Sequence, residues 1–424
     1  MSNKIDSIIK EVLERVDPAG EDLKYIDKSL KDFLRKINSQ IKKNRLKVEV
    51  FVGGSFAKKT VIRKEKYDVD VFLRFDKKYN EKVSQLTKKL LKNVKGVSLI
   101  HGSRDYFKIK LDKGFEIELI PVVKVNNPDE AENITDLSYS HVKYINGKAK
   151  SKKTLDEIKI LKAFCYANGT YGAESYVKGF SGYALELLIV HYGNFTKLLK
   201  EISKSKGKIV IDMEKQYKNK AQVLMDLNSS KLDSPIVVVD PTSKNRNALA
   251  ALSDETFEKF RKSALKFLKS PSIRAFDLEK VDLEKVEKGA KKKGLDFVLI
   301  ELETKRQEGD IAGTKLLKFY NHLEQQISKS FDVKNRGFDY FGGKEAQCFF
   351  VAKPKKEIIS NGPFIKDHKN LKLFKKKHKK TFTKNGKIYS REKVKGNLKD
   401  FIKKWEVKYN KRLKEMQVDK MNLI

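Results

Sequence analysis

The chain has 424 residues, a formal net charge of +37, 39% hydrophobic residues and 35% charged residues. A single core stops growing near roughly 250 to 300 residues, so two to four domains are expected. The longest apolar stretch, Tyr183 to Val190, falls far short of the roughly 18 residues of a membrane span, and no membrane insertion is expected. An excess of Lys and Arg this large is most easily carried beside a polyanion, which makes nucleic acid the expected partner, although lysine-rich residue usage accounts for part of it.

The opening MSNKIDSIIKEVLERV has acidic residues every few positions and reads as a helix, not a secretory signal, so export is not expected. Cys165 and Cys348 are the two cysteines, too few for a disulfide framework, which suits a reducing cytosol and a cytoplasmic location. Over the first forty residues Leu23, Ile26, Leu30, Phe33, Leu34, Ile37 and Ile41 recur at three- and four-residue intervals, predicting helix with one buried side. The period changes to two at Val48, Val50 and Val52, a strand that ends in Gly53-Gly54-Ser55 before a second helical start. Strands are predicted at Tyr67 to Phe75, Tyr106 to Leu111 and Glu116 to Val125. After Lys148 to Lys153, helical periodicity dominates through Leu155, Ile158 and Leu161, then Tyr183 to Tyr192, then Ser253 to Leu268 behind a Ser253 cap. Pro271 marks a boundary. Beyond it lie a strand from Leu295 to Leu302 and a helix from Asp310 to Ser330. From Val351 onward 24 basic residues face 7 acidic ones, interspersed with Phe374, Phe382, Tyr389 and Trp405, a pattern suited to tracking a phosphate backbone and stacking bases.

The residues with chemistry to offer sit in the first third. Asp68 and Asp70 are two apart on a predicted strand, so both carboxylates project from one face while Val69 and Val71 point to the core. Such a pair suits Mg²⁺, which takes one or two carboxylates together with waters and substrate phosphates. A plain reading also exists, an ion pair with Lys64 or Lys66. The Gly53-Gly54-Ser55 turn precedes the pair by about a dozen residues; glycines there let backbone amides approach a phosphate, and a following helix would add its positive end. A third carboxylate is expected from the neighbouring strand, where Glu116 and Glu118 share a face opposite Phe115, Ile117 and Leu119.

Gly54-Ser55, the Asp-x-Asp pair and the later strand carboxylate together resemble the DNA polymerase β-type nucleotidyltransferase superfamily. The segments LKAFCYANGTYGAESYVKGFSGYALELLIVHYG and VVVDPTSKNRNALAALS resemble the central region of archaeal-type, class I CCA-adding enzymes, which build the CCA end of tRNA. The likeness runs from about residue 50 to 270, and more faintly through DIAGTKLLKFYNHLEQQI to the C-terminus. It implies an α+β multidomain protein: a polymerase β-like nucleotidyltransferase head over residues 1–147, a helical central domain over 148–270 that completes the nucleotide site, and a mixed α/β, basic tRNA-binding region over 271–424. It implies catalytic and metal-holding roles for Asp68, Asp70 and Glu118. Gly54, Ser55, Lys58, His141, Lys162 and Tyr171 are then expected around the triphosphate, and Arg246 near the base. The implied reaction joins CTP and ATP to the tRNA 3′ end without a nucleic-acid template, with Mg²⁺ as cofactor, and a homodimer is the candidate assembly.

Two departures from the family pattern stand out. Glu118 occupies the third carboxylate position, where Asp is usual, and misplacement by about 1 Å can cost on the order of 10²-fold in rate. The stretch HGSRDYF lacks the expected His-Pro-Tyr, and Leu137 stands where Arg is expected. Two other readings share these residues: another RNA-tailing nucleotidyltransferase, and a tRNA-binding homologue with weakened catalysis.

Overall fold

The structure, a computed structural model, describes residues 2–64, 66–102, 104–111, 114–278, 281–394 and 396–424. It divides into two compact units, Met1–Glu279 and Lys280–Ile424. Among the described residues no helix is long and apolar enough to cross a membrane.

The first unit begins with α1 (Ser2–Val16) and α2 (Gly20–Lys43), two helices where periodicity alone suggests one. Pro18 separates them: the residue before a proline is pushed out of the helical region. α2 buries Ile26, Leu30, Phe33, Ile37 and Ile41. There follow β1 (Val48–Val52), the single turn α3 (Gly54–Ala57), β2 (Tyr67–Phe75), α4 (Val83–Leu90), β3 (Val97–Ile100), β4 (Tyr106–Lys110), β5 (Phe115–Val123) and α5 (Ser138–Lys148). The strands form one sheet in the order β1-β2-β5-β4-β3, with β2 and β5 parallel and the other pairs antiparallel. Alternation sets its two faces. Val69, Val71, Ile117 and Leu119 are sealed against the α2 side chains, while the acidic residues between them face away.

The unit continues with α6 (Lys152–Ala167), α7 (Gly182–Tyr192), α8 (Phe195–Lys204), β6 (Ile209–Ile211), the short α9 (Lys220–Asp226) and α10 (Ser229–Leu232), β7 (Ile236–Asp240), β8 (Ser243–Asn247) and α11 (Asp254–Lys269). Phe164, Phe180, Phe195, Phe260 and Phe267 fill the core between the helices, and the Ser253 side chain caps α11 by accepting from the Thr256 amide. The three-stranded sheet β6-β7-β8 interrupts what the sequence suggests is purely helical. Ile236 to Val239 are buried on every side, and such a run lacks the alternation that marks a half-exposed strand.

The second unit comprises α12 (Leu283–Lys292), β9 (Asp296–Glu303), α13 (Asp310–Ser330), β10 (Phe331–Tyr340), β11 (Glu345–Pro354), β12 (Ile358–Phe364), α14 (His368–Lys377), β13 (Thr381–Lys384), β14 (Lys387–Glu392), α15 (Leu398–Glu415) and β15 (Lys420–Leu423). An antiparallel sheet β10-β11-β9-β15 packs against α13 and α15, and a smaller sheet β12-β14-β13 stands beside α14. Trp405 lies in the core of this unit, 6.1 Å from the Phe319 ring. It is therefore no stacking surface for RNA. Phe382 and Tyr389 stack on each other at 5.4 Å and are half-buried.

Candidate active site

The turn leaving β1 is pinned over the acidic face of β2, because the Gly53 amide donates to the Asp70 carbonyl at 2.8 Å. Gly54 has φ +59°, and a Cβ there would stand 1.7 Å from Asp70 Oδ2. Both the left-handed backbone and the close approach favour glycine. The expected helix after this turn amounts to the four residues of α3. A single turn carries little dipole, so an anion arriving here would meet chiefly the turn's amides and Ser55, which α3 carries.

Asp68 is exposed and Asp70 half-buried on β2, with Val69 and Val71 sealed between and beyond them. The parallel register with β5 sets Asp68 opposite Glu116 and Asp70 opposite Glu118. Burial pushes the Asp70 carboxyl up to about 7, with the neighbouring Glu118 and Asp68 carboxylates adding to the rise against Lys58 and Lys64. Burial likewise raises Glu118, opposed by Lys108, whose Nζ lies 3.1 Å from Glu118 Oε1. Carboxylates held this close repel one another unless a cation sits among them. Lys64 Nζ stands 3.9 Å from Asp68 Oδ2, so the plain ion-pair reading of that residue is partly realised. Asp68 and Asp70 suit a divalent cation in number and oxygen chemistry. Among the described residues no three His, Cys, Asp or Glu side chains already form a group that could hold an ion, and Glu118 is engaged by Lys108.

Two buried lysines, Lys162 on α6 and Lys58 just after α3, supply positive charge. Lys162 is buried on α6, donating to Glu186 Oε1 at 2.7 Å and Thr60 Oγ1 at 2.8 Å. Lys58 donates to Glu186 Oε2 at 2.5 Å. Burial pushes the Glu186 carboxyl up, but the Lys162 and Lys58 ammonium groups outweigh it and hold the carboxyl at about 2. Tyr171 follows the Asn168-Gly169 turn that closes α6, and a Cβ on Gly182 would lie 3.0 Å from the Tyr171 hydroxyl. Ser55, Thr60, Lys64, Asp68, Lys162 and Tyr171 line one small cleft.

His141 and Arg246 form a second cluster around Asp240, which is fully buried. Arg246 Nη1 donates to Asp240 Oδ2, Tyr183 OH donates to Oδ1 at 3.0 Å, and the Thr242 amide and hydroxyl both donate to Oδ1 at 2.8 Å. His141 Nε2 lies 3.2 Å from Asp240 Oδ2 and 3.0 Å from Arg246 Nη1. One ring nitrogen can donate to the first or accept from the second, not both. Burial lowers the His141 pKa against the pull of Asp240, and its ring stacks on Tyr183 at 4.0 Å. Lys58 Nζ stands 5.8 Å from the Tyr183 ring, which links the two clusters.

Sequence reasoning missed Lys108, Thr60, Tyr183, Glu186 and Asp240. Glu186 carried a signal, as a lone carboxylate inside the apolar run of α7 that must find cationic partners once buried. At the departures from the family pattern, Leu137 is buried and Arg104 pairs with the buried Asp136 at 3.0 Å. Ser103 of HGSRDYF lies outside the described residues.

Residues 34–138 match the family described as nucleotidyltransferase domain, and residues 156–277 the family described as tRNA nucleotidyltransferase, second domain. A CCA-adding enzyme of Nanoarchaeum equitans is 33% identical over 89% of this chain and 91% of its own length. The chain belongs to the archaeal-type CCA-adding enzyme family. A CCA-adding enzyme of Methanocaldococcus jannaschii is 29% identical over 91% of this chain and 87% of its own. Membership makes the chain a tRNA nucleotidyltransferase whose reaction is CCA addition, within a superfamily that uses divalent metal ions. Among solved structures, a Cid1 poly(U) polymerase variant bound to MgATP covers 64% of this chain and 98% of its own, with a TM-score of 0.51 and 12% identity. That likeness carries the polymerase β-like fold alone.

Proposed function

We propose that the CCA-adding chemistry of this family member is performed on the face shared by β2 and β5, with Asp68, Asp70 and Glu118 as the carboxylates that receive Mg²⁺. The observation that carries this is the meeting of the turn and the acid: Gly54 lies so close to Asp70 that no side chain fits between them, and Glu118 is the register partner of Asp70. When bound, the metal neutralises charge on the attacking and leaving oxygens of phosphoryl transfer.

Ser55 and the amides of its turn bind the triphosphate of CTP or ATP. Lys162 and Tyr171 line the same cleft as Ser55, and Lys58 and Lys162 together outnumber the Glu186 carboxylate they share, leaving a net positive charge that attracts the triphosphate. Arg246, oriented by Asp240 and flanked by His141, presents its remaining donors to the base. The tRNA 3′-hydroxyl attacks the α-phosphate and pyrophosphate leaves, with no nucleic-acid template. In this reading residues 1–147 carry catalysis, residues 148–270 complete the nucleotide site and residues 271–424 bind tRNA. The lysines of α14, a helix with no buried residue, support the last assignment. Cys165 and Cys348 are buried and unpaired, which suits a reducing cytoplasm.

The test is incubation with tRNA ending before CCA, with CTP, ATP and Mg²⁺, followed by sequencing of the products. Addition that stops after C, C and A supports the reading. Unlimited adenylation would replace it with another RNA-tailing activity, and tRNA binding without extension would replace it with a catalytically weakened homologue.

A further inference from the structure

Glu118 has a second neighbour besides Asp70. On its other side β4 pairs antiparallel with β5, and the register sets Lys108 directly opposite Glu118. Asp70, Glu118 and Lys108 therefore lie in one row across three adjacent strands. Lys108 Nζ is 3.1 Å from Glu118 Oε1 and 3.8 Å from Glu116 Oε2, with the lysine side chain about one-third exposed. The Glu118 oxygen that accepts from Lys108 is less available to a cation at Asp68 and Asp70, because the two positive charges compete for its lone pairs.

We propose that Lys108 is a positioning residue that holds Glu118 Oε1 in an ion pair while no nucleotide is bound, so that a divalent cation arriving at Asp68 and Asp70 must compete with the Lys108 ammonium for the third carboxylate. The inference rests on the reading of Asp68, Asp70 and Glu118 given above.

The test measures Mn²⁺ binding to the full-length, nucleotide-free protein by electron paramagnetic resonance, a readout independent of catalysis. Lys108→Met is expected to tighten Mn²⁺ binding about threefold to fivefold, the size of a partly exposed ion pair. Lys108→Arg, which keeps the pair, should stay near wild type. In a Glu118→Gln background Lys108→Met should bring no gain. An unchanged affinity in Lys108→Met, or an equal gain in the Glu118→Gln background, would overturn the proposal, the latter by showing a general charge effect. Asp70→Asn is the control for the underlying reading. If it binds Mn²⁺ like wild type, the metal assignment falls and Lys108 with it; if it loses binding while Lys108→Met changes nothing, only the role of Lys108 falls.

Discussion

Lys162 Nζ lies 2.7 Å from Glu186 Oε1, and both side chains are sealed from solvent. With Lys58 on the other carboxylate oxygen, this buried triad joins the segment after β1 to α6 and α7. Removing the anion leaves two buried ammonium groups uncompensated. Glu186→Leu should therefore cost about 3 to 5 kcal/mol in chemical denaturation.

The same triad gives a pH signature. Glu186 is held at about 2, below its ordinary 4.5, so the folded state binds fewer protons there than the unfolded state. The stability this contributes is fully present above pH 4.5 and lost as pH falls from 4.5 toward 2. Glu186→Gln should flatten the stability profile in that window relative to wild type, read from denaturation midpoints at stepped pH.

Gly54→Ala places a Cβ 1.7 Å from Asp70 Oδ2 on a backbone with φ +59°. Folding should lose only about 1 to 2 kcal/mol for the left-handed residue. Displacement of the Asp70 carboxylate should lower nucleotide incorporation on the order of 10²-fold. Melting and incorporation measured on one preparation separate the two effects.

Much of this site could be read from the chain because local rules write it there. Alternation placed Asp68 and Asp70 on one face and Val69 and Val71 on the other, and the Gly53-Gly54-Ser55 turn ends β1 as expected. The length of the helix after that turn was not readable, since nothing local stops α3 after four residues. The partners of Lys162 were not readable either: Glu186 is 24 positions away in sequence and Thr60 is 102, and long-range packing alone brings them together. The β6-β7-β8 sheet stayed hidden because its buried strand Ile236–Asp240 shows no alternation. Trp405 could be counted among basic residues, but its burial depends on α15 packing over the sheet of the second unit.

Arg246 shares Asp240 with His141, Tyr183 and Thr242. Arg246→Lys keeps a positive charge but loses the planar fork that can hold Asp240 and a base edge together. KM for CTP and ATP should rise roughly tenfold, the worth of one charge-assisted hydrogen bond, and UTP or GTP incorporation should increase. Steady-state assays with each of the four nucleotides check both.

Lys375, Lys376 and Lys377 end α14 in exposed positions. Replacing all three with Ala should weaken tRNA binding and reduce the slope of log affinity against log salt by about 2 to 3, each phosphate contact releasing roughly one counterion. KM for CTP should not move. A salt titration of binding by fluorescence anisotropy gives the slope directly.

The most direct measurement is single-turnover incorporation of CTP onto tRNA lacking CCA by Asp70→Asn beside the wild-type chain, with tRNA binding measured in parallel. The substitution preserves size and removes the charge that faces Gly54 and Glu118. Loss of incorporation by on the order of 10³-fold or more, with tRNA affinity unchanged, is the expected result. Incorporation by Asp70→Asn within a few-fold of wild type would contradict the placement of the catalytic centre on β2.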